Sequence, residues 1–313
     1  MQRPDQLKSS SMEEALLKID ICSDLHVDRH HNQTSLLVRP GEGPSHWPVG
    51  HLGDRDKFFH FDFGWYRTPG SNVLIIAGDI SDHLNDVQDV VTHAAKFYEY
   101  VVIVDGNHEH HGQRDTTTVD DTVGLITDIK LSVPNLIYLD GGESARHDIG
   151  RTAFIGGNCW YDWKCYEPKG IMFPEVYASW DDHSSDTHLD FGDHRWPNVL
   201  GDLQIEAVLA ALESANTDPN IDSVVIVTHS APLAECLNWH EDNRSWNVGS
   251  PSYVNTNLAK LFAANTGKIK LWAYGHTHTR RRWSHNGVTL VNNCYGYPRE
   301  NLGGWAMANV EVM

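Results

Sequence analysis

Seven side chains that can bind metal ions lie in five short, widely separated segments of this 313-residue chain. They are Asp24, His26, Asp79, Asn107, His229, His276 and His278. Carboxylate oxygens, an amide oxygen and imidazole nitrogens suit metals such as Mn, Fe and Zn. No single segment supplies enough ligands to hold an ion well, whereas the seven together would suffice for two ions. The sequence therefore predicts a metal centre assembled from distant parts of the chain.

Each of these segments closely follows a short apolar run, which is typical of a strand buried on both faces. The runs span residues 16–22, 73–77, 101–104, 224–227 and 269–273. Ligands of α/β sheets bind beyond the carboxyl ends of the strands. We therefore expect the seven side chains to meet at one edge of a sheet.

Two of the segments have a spacing that would direct a pair of side chains at one point. In an extended segment, residues i and i+2 project to the same side. Asp24 and His26 have this spacing, and so do His276 and His278. In the segment around Asn107, the Asn amide is a neutral oxygen donor, which is useful where a site already carries enough negative charge. A tight turn is the alternative interpretation, because Gly and Asn favour turns. The three polar residues that extend this segment are predicted to be exposed loop residues; they are Glu109, His110 and His111.

Helical spacing of apolar residues alternates with the predicted strands. Helices are predicted at residues 84–98, 119–131, 201–214 and 255–264, and further short strands at 136–139, 153–155, 288–291 and 306–312. A glycine-rich turn is predicted between the strands at 136–139 and 153–155. Strands that alternate with helices are typical of a layered α/β fold. We predict a single domain from residue 15 to 313, preceded by a flexible lead-in over residues 1–14.

Two long stretches, about residues 28–70 and 160–199, interrupt this alternation. Long irregular segments in a compact domain are usually functional loops or disordered, and the aromatic residues in both stretches disfavour disorder. We predict that both are loop insertions over the site. Trp160 in the second stretch is a candidate for stacking on a substrate, although packing in the core or a lid is the preferred interpretation.

The composition restricts the class of partner and the compartment. A formal net charge of −18 does not favour binding of extended nucleic acid or of an anionic membrane. The five cysteines are odd in number and form no C-x-x-C pair, which is typical of reduced thiols in a cytoplasmic protein. The sequence shows no signal peptide and no apolar run long enough to span a membrane.

The five segments read S-D-L-H, G-D-I-S-D, G-N-H-E, T-H-S and G-H-T-H. This set resembles the blocks of the calcineurin-like metallophosphoesterase superfamily, D-x-H, G-D-x-x-D, G-N-H-[DE], H and G-H-x-H. The chain is most similar to the bacterial-type branch that begins S-D-L-H, and residues 294–301 resemble the tail of that branch. The resemblance runs from about residue 17 to the end. It implies an α/β fold, a four-layer αββα sandwich in which two mixed β-sheets pack face to face and are flanked by helices.

The resemblance also implies a role for each site residue. The first metal ion would be held by Asp24, His26, Asp79 and His278. The second would be held by Asp79, Asn107, His229 and His276, so that Asp79 bridges the two ions. His108 would not bind metal but would face the substrate, and Asp82 would orient His108.

We therefore expect a phosphoester hydrolase with two divalent metal ions, which the ligand set allows to be Mn, Fe or Zn. The substrate would be a small phosphodiester or phosphomonoester. In the reaction expected from the resemblance, a hydroxide that bridges the metals attacks phosphorus, and His108 protonates the leaving group. Two divalent ions less two carboxylates and one hydroxide leave about one positive charge, which would attract phosphate despite the acidic surface.

One feature departs from a related phosphatase branch. That branch continues G-D-x-x-D with Arg-Gly, whereas this chain has His83 and Leu84, so the phosphate-clamping arginine is missing. Arg280 and Arg299 are the candidates for binding phosphate instead, although solvated or structural arginines are the preferred interpretation.

Three alternatives to a small-substrate phosphoesterase follow from the sequence. A nuclease acting on polymeric nucleic acid would need a basic groove, for which the sequence offers only the arginine run 280–282. A non-catalytic metal-binding scaffold would be expected to lose ligands, yet every ligand type is present. A metallo-β-lactamase-like enzyme would require an H-x-H-x-D-H cluster, which the sequence lacks.

Overall fold

The computed structural model of the chain describes residues 16–30, 62–112, 117–165, 167, 173–237, 253–298, 300 and 305–313. The predicted lead-in, most of the first insertion and Arg299 lie outside the described residues. The described ends of the first insertion contain a 3-10 helix, Val27–His30, and a short helix α1, Phe63–Tyr66.

The first sheet contains five strands. They are β1 (Leu17–Cys22), β2 (Val73–Ala77), β3 (Tyr100–Val104), β4 (Leu136–Tyr138) and β11 (Ala308–Val312). Their order is β11-β1-β2-β3-β4, with β1 to β4 parallel and β11 antiparallel to β1. The central strands β2 and β3 are almost wholly apolar because both of their faces are buried.

The second sheet contains six strands. They are β5 (Arg146–Ile149), β6 (Thr152–Gly157), β7 (Ser223–Thr228), β8 (Ile269–Ala273), β9 (Arg281–His285) and β10 (Val288–Asn292). Their order is β5-β6-β7-β8-β10-β9. The four inner strands are parallel, and β5 and β9 run antiparallel at the two edges. The candidate site forms at the carboxyl ends of parallel strands from both sheets.

The two sheets pack against each other, and helices cover their outer faces. Ile19 and Ile75 of the first sheet share a buried cluster with Val225 and Leu271 of the second. The helices after α1 are α2 (Leu84–Ala94), α3 (His108–His111), α4 (Val119–Ser132), α5 (Phe173–His183), α6 (Pro197–Thr217) and α7 (Ala259–Ala264). Buried residues of α2 and α4 pack on the first sheet, and those of α6 and α7 on the second. The predicted four-layer αββα sandwich is confirmed.

The strands that precede the candidate ligands are confirmed, but two edge strands were not predicted from the sequence. The prediction of a turn over the residues that form β5 is wrong, and β9 contains the end of the arginine run. Both strands carry exposed charged side chains, for example Asp148 and Arg282. Sheet edges commonly carry such charges, which prevent pairing with other chains. The apolar signal on which the strand prediction depended is therefore weak in β5 and β9.

The second insertion is more regular than predicted. It contains α5 and two 3-10 helices, Ser185–His188 and Gly192–His194. Trp160, Trp163 and Trp180 pack together in a buried aromatic cluster within it. The prediction of an irregular loop is therefore wrong for this part, because aromatic packing supports a helical unit of its own.

Two further observations concern the whole described structure. None of the described helices is long and apolar enough to cross a membrane. All five cysteines are described, and each is buried and free of disulfide bonds. Burial raises the pKa of Cys22 well above the ordinary value, with smaller contributions from Asp20 and Asp24. Its thiol is therefore a core group rather than a nucleophile.

Candidate metal centre

The carboxyl ends of strands from both sheets meet at one edge of the sandwich, and the seven predicted ligands lie there. Asp24, Asp79 and Asn107 follow β1, β2 and β3, while His229 and His276 follow β7 and β8. Because these strands are parallel within each sheet, their ends point the same way. All seven side chains are almost fully buried except that of His278, which is 18% exposed.

The first group of ligands contains Asp24, His26, Asp79 and His278. One ligand atom of each lies within 4.8 Å of those of the other three. Nε2 of His26 is 3.0 Å from Nε2 of His278 and 3.7 Å from Oδ2 of Asp79. Oδ1 of Asp24 is 3.7 Å from the same nitrogen of His278. Two carboxylates and two imidazoles thus surround one point.

The second group contains Asp79, His229 and His276, whose ligand atoms also lie within 4.8 Å of one another. Nε2 of His229 is 3.3 Å from Oδ1 of Asp79 and 3.0 Å from Nδ1 of His276. Oδ1 of Asn107 is 3.2 Å from Nε2 of His229. Asp79 therefore directs one carboxylate oxygen to each group.

The chemistry of this donor set fits divalent metal ions. Two imidazole nitrogens can face each other at 3.0 Å, as in both groups, only where a proton or a cation separates their lone pairs. The donors combine oxygen and nitrogen, which suits Mn, Fe or Zn. The residues of the first group would hold one ion, and those of the second group together with Asn107 would hold another.

Without metal, a proton on His229 balances the negative charge of the buried Asp79. Burial would lower the pKa of His229, but the negative charge of Asp79 raises it to about 10. Burial would raise the pKa of Asp79, but the positive charges of His229 and His108 hold it well below its ordinary value. The site therefore favours positive charge next to Asp79, which protons supply when metal does not.

The backbone at the ligands adopts an uncommon conformation. Five ligand residues have positive φ angles: 51° at Asp24, 42° at His26, 56° at Asp79, 68° at His276 and 48° at His278. The prediction that the two ligand pairs lie on extended segments is therefore wrong. Left-handed backbone at residues other than glycine costs on the order of 1–3 kcal/mol each and is concentrated at functional sites.

Three glycines allow the ligand loops to pack closely. A Cβ atom on Gly106 would contact Oδ1 of Asp79, and one on Gly78 would contact Nδ1 of His229. A Cβ on Gly275 would lie 2.9 Å from Nδ1 of His229. Each glycine therefore leaves space that a ligand side chain occupies.

Glu109 holds two ligand loops together from beneath. Its Oε2 accepts hydrogen bonds from the backbone amides of Asp79 at 3.1 Å and Gly106 at 2.6 Å, and its Oε1 accepts one from Ile80 at 2.5 Å. The prediction that Glu109, His110 and His111 are exposed is wrong, because all three are buried in α3. Burial and the charge of Asp79 raise the pKa of Glu109 to about 7.

His108 lies beside both groups and is hydrogen-bonded as predicted from the resemblance. Its Nδ1 is 2.6 Å from Oδ1 of Asp82, and Arg29 donates to the other oxygen of Asp82. Burial would lower the pKa of His108, but the charge of Asp79 and the hydrogen bond that Nδ1 donates to Asp82 raise it to about 9. With Nδ1 engaged by Asp82, the other ring nitrogen of His108 is Nε2, which lies 3.0 Å from the hydroxyl of Tyr297.

A cavity of about 450 Å³ opens over the two groups. It is lined by Asp79, Asn107, His108, Ser179, Trp180, Ser184, Ser185, Asp186, Tyr253, His276, Thr277, His278, Tyr297 and Glu300. The serines, Trp180 and Asp186 come from the second insertion, so this part of the chain lies over the site as predicted.

The structure does not place Trp160 or Arg280 at the cavity. Trp160 is fully buried in the aromatic cluster, where its ring lies 5.0 Å from that of Phe191. Arg280 is half-buried and is not among the described residues that line the cavity. Arg281 and Arg282 lie on β9 and donate to the backbone carbonyls of Glu235 and Asn309. The stacking and phosphate-binding interpretations of Trp160 and Arg280 are therefore not supported.

Several residues at the site were not singled out by sequence reasoning. Nδ1 of His278 is 2.7 Å from Oε2 of Glu300, and Asp186 accepts a hydrogen bond from Nδ2 of Asn107 at 2.9 Å. The hydroxyl of Tyr297 is 3.0 Å from Nε2 of His108. Only the C-Y-G-Y-P-R-E-N tail gave a signal for Tyr297 and Glu300. Asp186 had none, because it is one of many acidic residues in a segment without periodicity.

Comparisons with other proteins place the fold. The chain matches no protein-family profile. It is 24% identical over 255 residues to an uncharacterized protein, L509, of Acanthamoeba polyphaga mimivirus, which covers 77% of this chain and 84% of the viral protein. The crystal structure of the phosphopantetheinyl hydrolase from Mycobacterium tuberculosis superposes with a TM-score of 0.64 at 18% identity, covering 91% of this chain and 92% of that chain. The chain therefore shares the fold of that hydrolase over nearly the whole length of both proteins.

Proposed function

We propose that this chain is a dinuclear-metal phosphoester hydrolase that acts on a small phosphodiester or phosphomonoester. The main observation that supports this proposal is that two groups of metal-capable side chains share Asp79. His108 lies beside them and lines the same cavity. The fold shared with a phosphopantetheinyl hydrolase supports a hydrolase that cleaves phosphate esters.

The ligand roles follow from the grouping of the side chains. The residues proposed for the first ion are Asp24, His26, Asp79 and His278, and those for the second are Asp79, Asn107, His229 and His276. When bound, the two ions would neutralise phosphoryl oxygens and lower the pKa of water, so that a nucleophile forms at neutral pH. Asp79, which presents an oxygen to each group, would keep the two ions at a fixed separation.

His108 is proposed as the general acid. Asp82 accepts a hydrogen bond from Nδ1 of His108 and so favours the imidazolium form of that ring. In this form Nε2 of His108 can donate a proton. Arg29 holds Asp82 in place from the other oxygen. A proton given from Nε2 to the leaving oxygen would lower the barrier to release of an alcohol.

The cavity supports a compact substrate. A volume of about 450 Å³ lies within the usual range for small-molecule sites. Hydroxyl groups of Ser179, Ser184 and Tyr297 can hydrogen-bond a polar leaving group, and Trp180 offers an apolar wall. Together with a net charge of −18, this favours a small ester over a nucleic-acid polymer.

The test is hydrolysis of bis-p-nitrophenyl phosphate and p-nitrophenyl phosphate by metal-free protein, before and after Mn²⁺ is added. Metal-dependent turnover is expected, and the ratio of the two rates shows whether diesters or monoesters are preferred. Asp79→Ala should lose turnover and binding of both ions, whereas Asp182→Ala, which removes an exposed carboxylate of α5, should keep them. A protein that binds no metal and cleaves neither ester would contradict the proposal. Cleavage of single-stranded DNA at a higher rate than of either ester would favour a nuclease.

A further inference from the structure

Asp186 is a buried carboxylate that comes from the second insertion, far in sequence from every proposed ligand. It lies in the 3-10 helix Ser185–His188, whose N-cap Ser184 accepts a hydrogen bond from the backbone amide of Asp186. Asp186 is one of the residues that line the cavity, and it is only 3% exposed. Carboxylates are almost never buried to this degree unless they are paired.

Both carboxylate oxygens of Asp186 are engaged. Oδ1 accepts a hydrogen bond from Nδ2 of Asn107 at 2.9 Å and lies 2.7 Å from Nε2 of His111. Oδ2 accepts from the hydroxyl of Tyr161 at 2.7 Å, which in turn accepts from Nε1 of Trp180 at 2.8 Å. Asp186 is therefore held rigidly by the aromatic cluster of the insertion.

The contact with Asn107 fixes the orientation of its amide. A carboxylate can only accept hydrogen bonds, so the NH2 group of Asn107 must face Asp186. The amide oxygen must then point the other way, where it lies 3.2 Å from Nε2 of His229. A flipped amide would place two oxygens against each other and turn the NH2 group, which cannot bind metal, toward the second group.

The contact with His111 extends the same support to His108. Asp186 holds Nε2 of His111, while Nδ1 of His111 lies 3.9 Å from Oδ1 of Asp82. The ring of His111 packs edge-on against that of His108, with 4.4 Å between centroids. One carboxylate thus contacts a proposed ligand and the neighbour of the proposed general acid.

We infer that Asp186 is a positioning residue that sets the Asn107 amide with its oxygen toward the second metal position. This inference rests on the proposed function, because it assigns a role within the same metal centre. The second insertion then contributes to the metal site and also forms a wall of the cavity. The first metal position receives no contact from Asp186 in the described structure and should not depend on it.

The experiment is calorimetric titration of Mn²⁺ into metal-free protein, which measures each site without reference to turnover. Asp186→Ala should weaken the second site by about 10–100-fold, the usual effect of removing a residue that orients a ligand, and leave the first site unchanged. Asp186→Asn should bind both ions nearly as the unaltered protein does. Its amide oxygen can still accept from Asn107, and its NH2 group can donate to Tyr161. Asp182→Ala is the matched control on the same insertion.

The outcomes separate this inference from the proposed function. If the unaltered protein binds two ions and Asp186→Ala binds both equally well, or loses both equally, the positioning role is wrong while the metal centre stands. If the unaltered protein binds no ions, the proposed function fails and the inference fails with it. Thermal unfolding establishes that each variant is folded. Asp186→Ser, which withdraws the acceptor from Asn107, carries the same expectation if the alanine variant is not folded.

Discussion

The hydroxyl oxygen of Tyr297 lies 3.0 Å from Nε2 of His108, the ring nitrogen that is not engaged by Asp82. The ring of Tyr297 also packs on that of His26, with 4.4 Å between centroids. An oxygen beside a proposed ligand and within hydrogen-bonding distance of His108 marks the place where the leaving oxygen of an ester would accept a proton. The position of Tyr297 therefore gives the proposed general acid a defined direction.

Removing His108 should separate protonation of the leaving group from metal binding. We expect His108→Ala to lower kcat by about 10²–10⁴-fold for esters of poorly acidic alcohols, because these leave only when protonated. The loss should be smaller for p-nitrophenyl esters, which leave readily as anions. Steady-state rates with matched alkyl and p-nitrophenyl diesters measure the difference, and titration with Mn²⁺ should still show two ions. An equal loss for both esters would contradict the role of a general acid.

Neutralising Asp82 should shift the pH dependence of kcat. Asp82 contributes to the raised pKa of His108, so Asp82→Asn should lower that pKa. A general acid must be protonated to act, and its activity is lost as pH rises through its pKa. The alkaline limb of the profile should therefore move to lower pH in the variant. An unchanged limb, measured from pH 6 to 10 with metals saturating, would show that another group limits the rate.

Adding a single methyl group at Gly106 should disrupt the metal centre. The new Cβ would contact Oδ1 of Asp79 and lie 2.8 Å from Cε1 of His229, so these ligands must move. We expect Gly106→Ala to lose measurable binding of at least one ion. Gly124→Ala is the matched control, because a Cβ at this exposed position in α4 meets nothing within 4 Å. The control should keep both ions and gain about 0.5–1 kcal/mol in free energy of unfolding.

Replacing Glu109 by Gln, a side chain of nearly the same shape, should destabilise the protein. Three backbone amides donate to the two oxygens of Glu109, and Gln would turn an NH2 group toward at least one of them. We expect a loss of about 1–3 kcal/mol in free energy of unfolding, the usual cost of an unsatisfied buried donor. Urea unfolding of the metal-free protein measures this loss. Equal stability of the two proteins would show that these hydrogen bonds contribute little.

The sequence predicts the location of the ligands in the fold better than it predicts their backbone conformation. Apolar runs place β1, β2, β3, β7 and β8, and parallel strands necessarily bring residues at their ends to one edge. Spacing alone does not reveal a left-handed φ, so the backbone at Asp24 and His26 was predicted as extended. The left-handed conformation depends on how neighbouring loops pack in the folded protein. The spacing of residues in the sequence does not show this packing.

The supporting residues around the ligands were the least predictable. Glu109 was interpreted as exposed because an acidic residue in a polar segment usually is. It is buried because three amides of two neighbouring loops satisfy it. Asp186 contacts Asn107 across 79 residues of chain, and such a contact leaves no local pattern. Residues of this kind become visible only when the hydrogen-bond partners of each ligand are known.

Asp79 directs Oδ1 toward His229 and Oδ2 toward His26, so one side chain belongs to both ligand groups. An ion that settles in either group would fix the rotamer of Asp79 and remove the proton that compensates its charge. The free energy of filling one position then depends on whether the other is filled, and by thermodynamic linkage the dependence is the same in both directions. Two cations that share one carboxylate also repel each other, so the first ion should bind more tightly than the second, and protein that holds one ion should accumulate at intermediate metal concentrations.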